Sequence, residues 1–211
     1  MMARPIYLFS KTFNAEVTHV PILLTEFFQP RIDYSRYDAI VLTSKQAVTA
    51  LEKISHDWVR LPVLSIADAT AKQARDAGAT VLEHGGGYGD SLAEIIRNGY
   101  PQWRWLYPRP EVVASDFAER VAAAGVSMEG VIVYKTTCNA DVAALELDDD
   151  AILIFTSPLT VACFLQQHQL HPSHTVIAIG ATTASALPDT VAILMPQKPS
   201  VQGCVDLAKT L

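Results

Sequence analysis

One strand–turn–helix pattern occurs twice in this sequence, and the repetition narrows the folds open to it. AILIFTSPLTVACFL, residues 151–165, begins with apolar and β-branched residues, stops at Thr156-Ser157-Pro158, and continues as an apolar-periodic helix pattern. The apolar run is too short for a helix and has no polar alternation, which predicts a strand buried on both faces. Ser157 suits an N-cap, and Pro158 suits the first helical turn. YDAIVLTSKQAVTAL, residues 37–51, repeats the pattern with Thr43-Ser44 in the place of Thr156-Ser157. A second pair follows: VLSIADATAKQA contains Thr70 and VIAIGATTASAL contains Thr183. Ser44 and Ser157 lie 113 residues apart, and Thr70 and Thr183 lie 113 apart again. Two matched units at one offset imply an internal duplication of an α/β half. With two copies of mixed elements, the chain reads as two pseudo-symmetric parallel-sheet α/β domains rather than a solenoid. Each repeat leaves hydroxyls and free backbone N–H groups at the carboxyl end of a strand, where open α/β sheets bind ligands.

In chain order, PIYLFS (5–10) predicts a strand, a polar link follows, and VTHVPILLTEFF (17–28) predicts a second strand, with no room between them for the helix of a βαβ unit. QPRIDYSR (29–36) reads as a crossing between domains. The middle domain then predicts strand 37–43, helix 44–54, strand LPVLSIA (61–67), a helix capped by Thr70 and ended at Gly78, and strand 79–83. A glycine-rich loop HGGGYGD (84–90) leads to a helix from about Ser91. WRWLYP (103–108) is the next strand, Ser115 or Asp116 caps the next helix, and EGVIVYKT (129–136) is the closing strand. The last part predicts strand 151–155, a helix from Pro158, strand 175–179, a helix from Thr182, strand 190–194 and a terminal helix from Ser200. It lacks two strands that the N-terminal segment can supply. The first domain is therefore expected to be discontinuous (1–30 plus 138–211), with 36–134 inserted into it. The linkers would lie near 30–35 and 135–138 and could pair as a two-stranded hinge.

Half of the 211 residues are hydrophobic and 18% are charged, enough for packed cores and against disorder. No apolar run approaches a membrane span, and the N-terminus reads as a strand rather than a signal peptide. A net charge of −6 argues against general nucleic-acid binding. Residues 33–135 hold 11 of the 16 Lys and Arg residues, so countercharges for an anionic ligand are expected there. Cys138, Cys163 and Cys204 lack metal spacing. Cys163 and Cys204 fall on apolar helix faces and read as buried, inert thiols, which points to the reducing cytoplasm.

Ser44, Thr70, Ser157, Thr182 and Thr183 are candidate contacts for carboxylates or phosphates at strand ends. Taken singly, each could merely cap a helix; their symmetric placement raises the case for a ligand shared by two facing domains. The HGGGYGD loop lacks the Lys-Ser/Thr of a P-loop and the G-x-G-x-x-G dinucleotide pattern. His168, His171 and His174 cluster at a helix end containing Pro172 and read as an exposed loop rather than a metal site. No G-x-S-x-G motif and no cysteine with nucleophile context occurs. Tyr134 ends the VIVY run at the predicted crossing, where it either donates a proton from its phenol into a cleft or packs the linker.

Together AIVLTSKQAVTAL, ADATAKQARDAGATV, LYPRP, GVIVYKT, ILIFTSPLTVACFL and AIGATTASAL resemble the uroporphyrinogen-III synthase family, in family order over most of residues 37–187. An arginine that the family usually carries after its first strand is replaced by nearby Lys11, and the helix that usually follows is absent. The resemblance implies two α/β domains joined by a two-stranded linker, with the active site in the interdomain cleft. It implies a cofactor-free, metal-free reaction: hydroxymethylbilane loses its hydroxyl, ring D is inverted through a spiro intermediate, and the macrocycle closes as uroporphyrinogen III. By residue match it makes Tyr134 the acid assisting hydroxide departure, and Ser44, Thr70, Ser157 and Thr183 binding positions. The substrate's eight carboxylates would be shared with backbone N–H groups, Lys45 and Arg109. No nucleic-acid, membrane or protein partner is expected, and a monomer suffices. The other class to consider is a non-enzymatic two-domain protein closing on a small anion.

Overall fold

The computed structural model describes residues 4–86, 89–113 and 115–211, with the side chains of residues 89 and 90 left out. In chain order its elements begin with β1 (Ile6–Phe9), β2 (Thr18–Val20), β3 (Leu23–Phe27), β4 (Ala39–Leu42), α1 (Lys45–Ile54), β5 (Val63–Ser65), α2 (Asp68–Asp76) and β6 (Val81–His84). They continue with α3 (Gly89–Gly99), β7 (Trp105–Pro110), α4 (Phe117–Ala123), β8 (Met128–Cys138), β9 (Ile152–Phe155) and α5 (Pro158–Gln167). The chain finishes with β10 (Thr175–Ala178), α6 (Ala181–Ala184), β11 (Ile193–Leu194) and α7 (Val201–Ala208). It forms two compact units, a terminal one of Met1–Leu24 with Thr137–Leu211 and an inserted one of Thr25–Thr136.

Each unit is a sheet covered on both faces, parallel throughout in the terminal unit and from β8 to β6 in the inserted one; the edge strand β3 runs antiparallel to β8. The terminal sheet has the order β11-β10-β9-β1-β2, the inserted one β3-β8-β7-β4-β5-β6. Reading outward from the duplicated strands, β9-β10-β11 mirrors β4-β5-β6, and β1-β2 mirrors β7-β8. The registers agree with the offset in sequence: Ile40 lies beside Val63, and Leu153 beside Val176. All four residues of β4 and all four of β9 are buried, as an apolar run without alternation requires of a central parallel strand. One face of the terminal sheet packs Phe9, Phe155 and Phe164, with Phe9 and Phe155 stacked at 5.0 Å and Phe164 edge-on to both. The other face packs Leu8, Ile154 and Ile177 under Cys204 and Val205 of α7. In the inserted unit, Ile40, Leu42 and Leu106 meet α1 on one face, while Ala39, Val41 and Trp105 meet α3 and α4 on the other. The helices α2 and α4 end at Gly78 and Gly125, whose φ values of 96° and 80° favour glycine.

Several boundaries differ from the sequence reading. The segment 17–28 is two strands, because Pro21 has no N–H for a ladder and the chain turns there, with the Ile22 N–H donating to Val20 O at 2.8 Å. Its halves, β2 and β3, belong to different sheets. Residues 25–30 accordingly fall in the inserted unit, where β3 neighbours β8 and the Phe28 N–H donates to Val133 O at 2.9 Å. The chain passes between units at 24–25 and 136–137, within β3 and β8 themselves. Residues 29–36 are no crossing: they contain a 3₁₀ turn, Tyr34–Arg36, capped by Asp33. Thr70 does not cap α2, which starts two residues earlier after Ala67, and Thr182 lies inside α6, which starts after Gly180.

The link 10–17 joins parallel neighbours β1 and β2 without a helix, as predicted. Side chains replace the missing ladder. The Thr12 N–H donates to Ser10 Oγ and the Glu16 N–H to Asn14 Oδ1. Asn14 and Glu16 both bond Gln202, and Glu16 pairs with Lys209.

The cysteine reading needs one correction. Cys204 is a buried thiol whose pKa burial pushes up to about 11, but Cys163 forms a disulfide with Cys138. Strand β8 brings Cys138 to a Cα–Cα distance of 5.2 Å from Cys163 on α5, a proximity that sequence spacing cannot reveal. The bridge closes a 25-residue separation, for which chain entropy gives a stabilisation of about 3 kcal/mol. Protein prepared without reductant and denatured should show one reactive thiol, against three after reduction. The Cys138→Ala/Cys163→Ala variant should unfold at lower urea concentration than the oxidised protein, and equal midpoints would remove the bridge's structural role.

Candidate active site

In the inserted unit, three adjacent strands deliver hydroxyls to one spot. Strand β4 ends at Leu42, and the chain stays extended through Ser44, whose Oγ accepts the Gln46 N–H at 3.1 Å and caps α1. The Ser44 hydroxyl also acts on the phenol of Tyr134, on β8, favouring its ionised form. Tyr107, on β7, places its phenol 3.3 Å from Thr43 Oγ1. Two phenols thus converge on consecutive hydroxyl residues from opposite faces of one sheet, because Tyr134 packs in the core on the α1 side and Tyr107 in that on the α3 and α4 side.

Tyr134 is 5% exposed, and its ring lies 6.5 Å from that of Phe27. Burial pushes its pKa up; the Ser44 hydroxyl acts the other way, and Tyr107 adds to the rise. A serine oxygen can accept the Gln46 N–H through one lone pair and still give its single hydrogen to the phenol oxygen. Tyr134 then keeps its own O–H to donate elsewhere. It stands within β8 and does not end the strand, and its carbonyl accepts the Glu111 N–H at 2.9 Å.

The remaining sequence candidates divide between the units. Lys45 is exposed at the first position of α1. Arg109 lies on β7 but is folded back, its Nη1 donating to Pro110 O at 2.9 Å and Glu111 O at 3.2 Å. The strand beneath it carries Gly130, where an added Cβ would stand 2.9 Å from Arg109 Nε. Thr70 is 5% exposed within the first turn of α2, turned inward rather than toward a ligand. In the terminal unit, Ser157 forms a reciprocal capping box with Thr160 ahead of Pro158, and Thr156 Oγ1 donates to Phe9 O at 3.1 Å. Thr183 is buried and Thr182 exposed on the short α6, which follows β10, the neighbour of β9. Lys11, at the end of β1, is exposed and has its pKa lowered by desolvation.

Thr43 and Tyr107 were not singled out from the sequence. Tyr107 sits in LYPRP, and nothing local signals that its strand lies beside β4, so the contact with Thr43 is tertiary information.

Other sequence features take no part. Among the described residues, no group of three His, Cys, Asp or Glu side chains could hold a metal ion. His168 Nε2 is bonded to Val142 O, and His171 and His174 bond within their own turn. Of the glycine-rich loop, Gly87 and Tyr88 lie outside the described residues; the Gly85 N–H continues the ladder to Ser65 O, and the Gly86 N–H donates to Ser91 Oγ. An open cavity of about 620 Å³ lies there between β6 and α3. Its charged lining is Glu83 and Glu94, which repels anions, and it contains none of the candidate residues.

Comparison with known proteins agrees with this placement of the strands. The family model described as "Uroporphyrinogen-III synthase HemD" matches residues 9–206. No curated protein shows a significant sequence match. Among solved structures, the uroporphyrinogen-III synthetase of Helicobacter pylori superposes with a TM-score of 0.85 at 23% identity, covering 98% of this chain and 99% of that one. A mutant uroporphyrinogen III synthase of the extremely thermophilic bacterium Thermus thermophilus gives 0.64 at 16% identity, over 99% and 98%. Identities this low speak for the fold alone, whereas the family match spans nearly the whole sequence: the chain belongs to the uroporphyrinogen-III synthase family.

Proposed function

We infer that this chain catalyses the closure of hydroxymethylbilane, with loss of water and inversion of ring D, to uroporphyrinogen III. The family match over residues 9–206 carries the reaction. The buried phenol of Tyr134, on which the Ser44 hydroxyl acts, supports the assignment of its acid. In this reading Tyr134 gives its phenolic proton to the departing hydroxyl as the C–O bond breaks. Water leaves, and the resulting cation is attacked from ring D to form the spiro intermediate. The Ser44 hydroxyl stabilises the phenolate that remains. The bilane also closes without help, to the other isomer, so most of the protein's task is orientation of a reactive intermediate and control of water around it. A site of hydroxyls and N–H groups around one buried phenol fits that task.

The substrate's carboxylates are assigned to hydroxyls and helix N-termini: Ser44 and Lys45 in one unit, Ser157, Thr182 and Thr183 in the other; Thr70, turned inward, is left out. Arg109 joins them once its guanidinium turns away from the Pro110 and Glu111 carbonyls. We assign the active species as a monomer working in the cytoplasm, without cofactor or metal; the compartment rests on the biosynthetic family and not on the cysteines, two of which are bridged. No helix among the described residues is long and apolar enough to cross a membrane.

Isomer analysis tests the reaction. With hydroxymethylbilane generated in place and the products oxidised, type III uroporphyrin should predominate; type I alone, from folded protein, would overturn the assignment. Tyr134→Phe should lower kcat by about 100-fold, the lower end of the range for a general acid because the substrate ionises readily, with KM little changed. Because its pKa is raised, Tyr134 remains protonated beyond the ordinary tyrosine range, so it should cause no loss of kcat up to about pH 9.

A contrast between the duplicated serines gives a second test. Ser44→Ala and Ser157→Ala each remove an N-cap worth about 1 kcal/mol, so both should lower thermal stability. Only Ser44→Ala should also depress kcat, since only the Ser44 hydroxyl acts on the Tyr134 phenol. Equal kcat in the two variants would separate Ser44 from the acid.

A further inference from the structure

We propose that Arg109, in the position the structure gives it, is a positioning residue for Tyr134, acting through the Pro110–Glu111 turn and a bulge in β8. The proposal rests on the assignment of Tyr134 as the acid. Strands β7 and β8 pair in one register from Trp105 beside Met128 to Arg109 beside Ile132, and then Pro110 lies beside Tyr134. Between these last two pairs β8 carries one residue more than β7, Val133. Strict alternation would put Tyr134 on the face of Gly130 and Ile132. With the extra residue, Val133 and Tyr134 are buried in succession in the core on the α1 side, against which Val131 also packs. Bulges re-aim side chains in this way, and this one turns the phenol to the α1 face.

Hydrogen bonds hold both edges of the bulge. The Val133 carbonyl accepts the Phe28 N–H at 2.9 Å, and the Tyr134 carbonyl accepts the Glu111 N–H at 2.9 Å. Glu111 is held in its turn: Arg109 Nη1 donates to Glu111 O at 3.2 Å and to Pro110 O at 2.9 Å. One guanidinium nitrogen therefore closes the turn at the end of β7, and an N–H of that turn holds the backbone of the acid. These bonds have a charged donor, which makes them stronger than neutral ones. Gly130 makes room for the arrangement. It lies beside Tyr107, and a Cβ there would stand 2.9 Å from Arg109 Nε and 3.2 Å from Arg109 Cδ. Without the guanidinium in place the turn relaxes, and Tyr134 spends less time in the orientation that delivers its proton.

Two variants disturb the tie in different ways. Arg109→Ala removes the guanidinium, and Gly130→Ala keeps it but fills the space it occupies. Alanine ordinarily suits a strand interior better than glycine, so a loss in Gly130→Ala reports the collision with Arg109. Arg109 is half-buried and belongs to neither core of its unit, so both variants should fold. Each should lower kcat about three- to ten-fold, as the loss of a hydrogen bond implies. In Gly130→Ala, which retains the cation, KM should stay within about two-fold. The double variant should be no slower than Arg109→Ala. Two readouts need no turnover. The Glu111 amide should exchange its hydrogen about ten-fold faster in both variants. The carbon-13 ring signal of Tyr134, assigned by its disappearance in Tyr134→Phe, should shift in both. Unchanged kcat in either variant overturns the positioning role, and a rise in KM alone in Arg109→Ala would leave Arg109 as a substrate contact only. An unmoved Tyr134 signal or additive losses in the double variant would overturn it as well. These failures are distinct from failure of the functional assignment, in which the unmodified protein yields no type III isomer or Tyr134→Phe retains full activity.

Discussion

Everything in this fold depends on two strands that have no polar face. Residues 39–42 and 152–155 are apolar without interruption, so neither strand can lie at the surface of a one-sided sheet. Each must be central, flanked by parallel neighbours and covered by helices above and below. Placed there, each has to end at a helix N-terminus, since the crossing helix starts where the strand stops. The hydroxyls at 44 and 157 satisfy those helix ends. Cap and candidate site contact are therefore not competing descriptions of Ser44: one oxygen lone pair serves the helix and leaves the hydrogen free to be donated.

This is also why the fold was largely legible in the sequence. The apolar runs, the Ser-Pro start of α5, the C-terminal Gly78 and the common spacing of the repeats are local signals, and the parallel units follow from them. Local signals ran out where the chain's partners are distant. Pro21 divides an apolar run that periodicity alone would keep whole, and the two halves join different sheets. Thr70 looks like a cap, but Asp68 opens the helix two residues earlier, and the threonine is turned into the protein. Cys163 has the setting of an inert core thiol until β8 delivers Cys138 to it.

The candidate site shows the same division. Tyr134 and Ser44 could be singled out because each ends or follows a recognisable run, and family resemblance gave them roles. Their proximity could not be read, because it depends on which strands are neighbours. Tyr107 and Thr43 were missed for that reason. A tyrosine in LYPRP carries no mark of the strand beside it. Arg109 shows the converse: a cation of suitable charge in a suitable segment is folded over its own strand, with its donors directed to the carbonyls of Pro110 and Glu111.

The discontinuity of the terminal unit bears on the order in which the protein is made. Strand β1 is synthesised well before β9, one of its two sheet neighbours, which is encoded more than 140 residues later. The link 10–17 is held by Gln202 and Lys209, in and just after α7. The inserted unit has all its strands and helices in one continuous stretch and can close while synthesis continues. The N-terminal strand waits throughout that time with an open edge, as a site that a chaperone or a second nascent chain could occupy. Synthesis must reach the last helix before the first strand is fully enclosed.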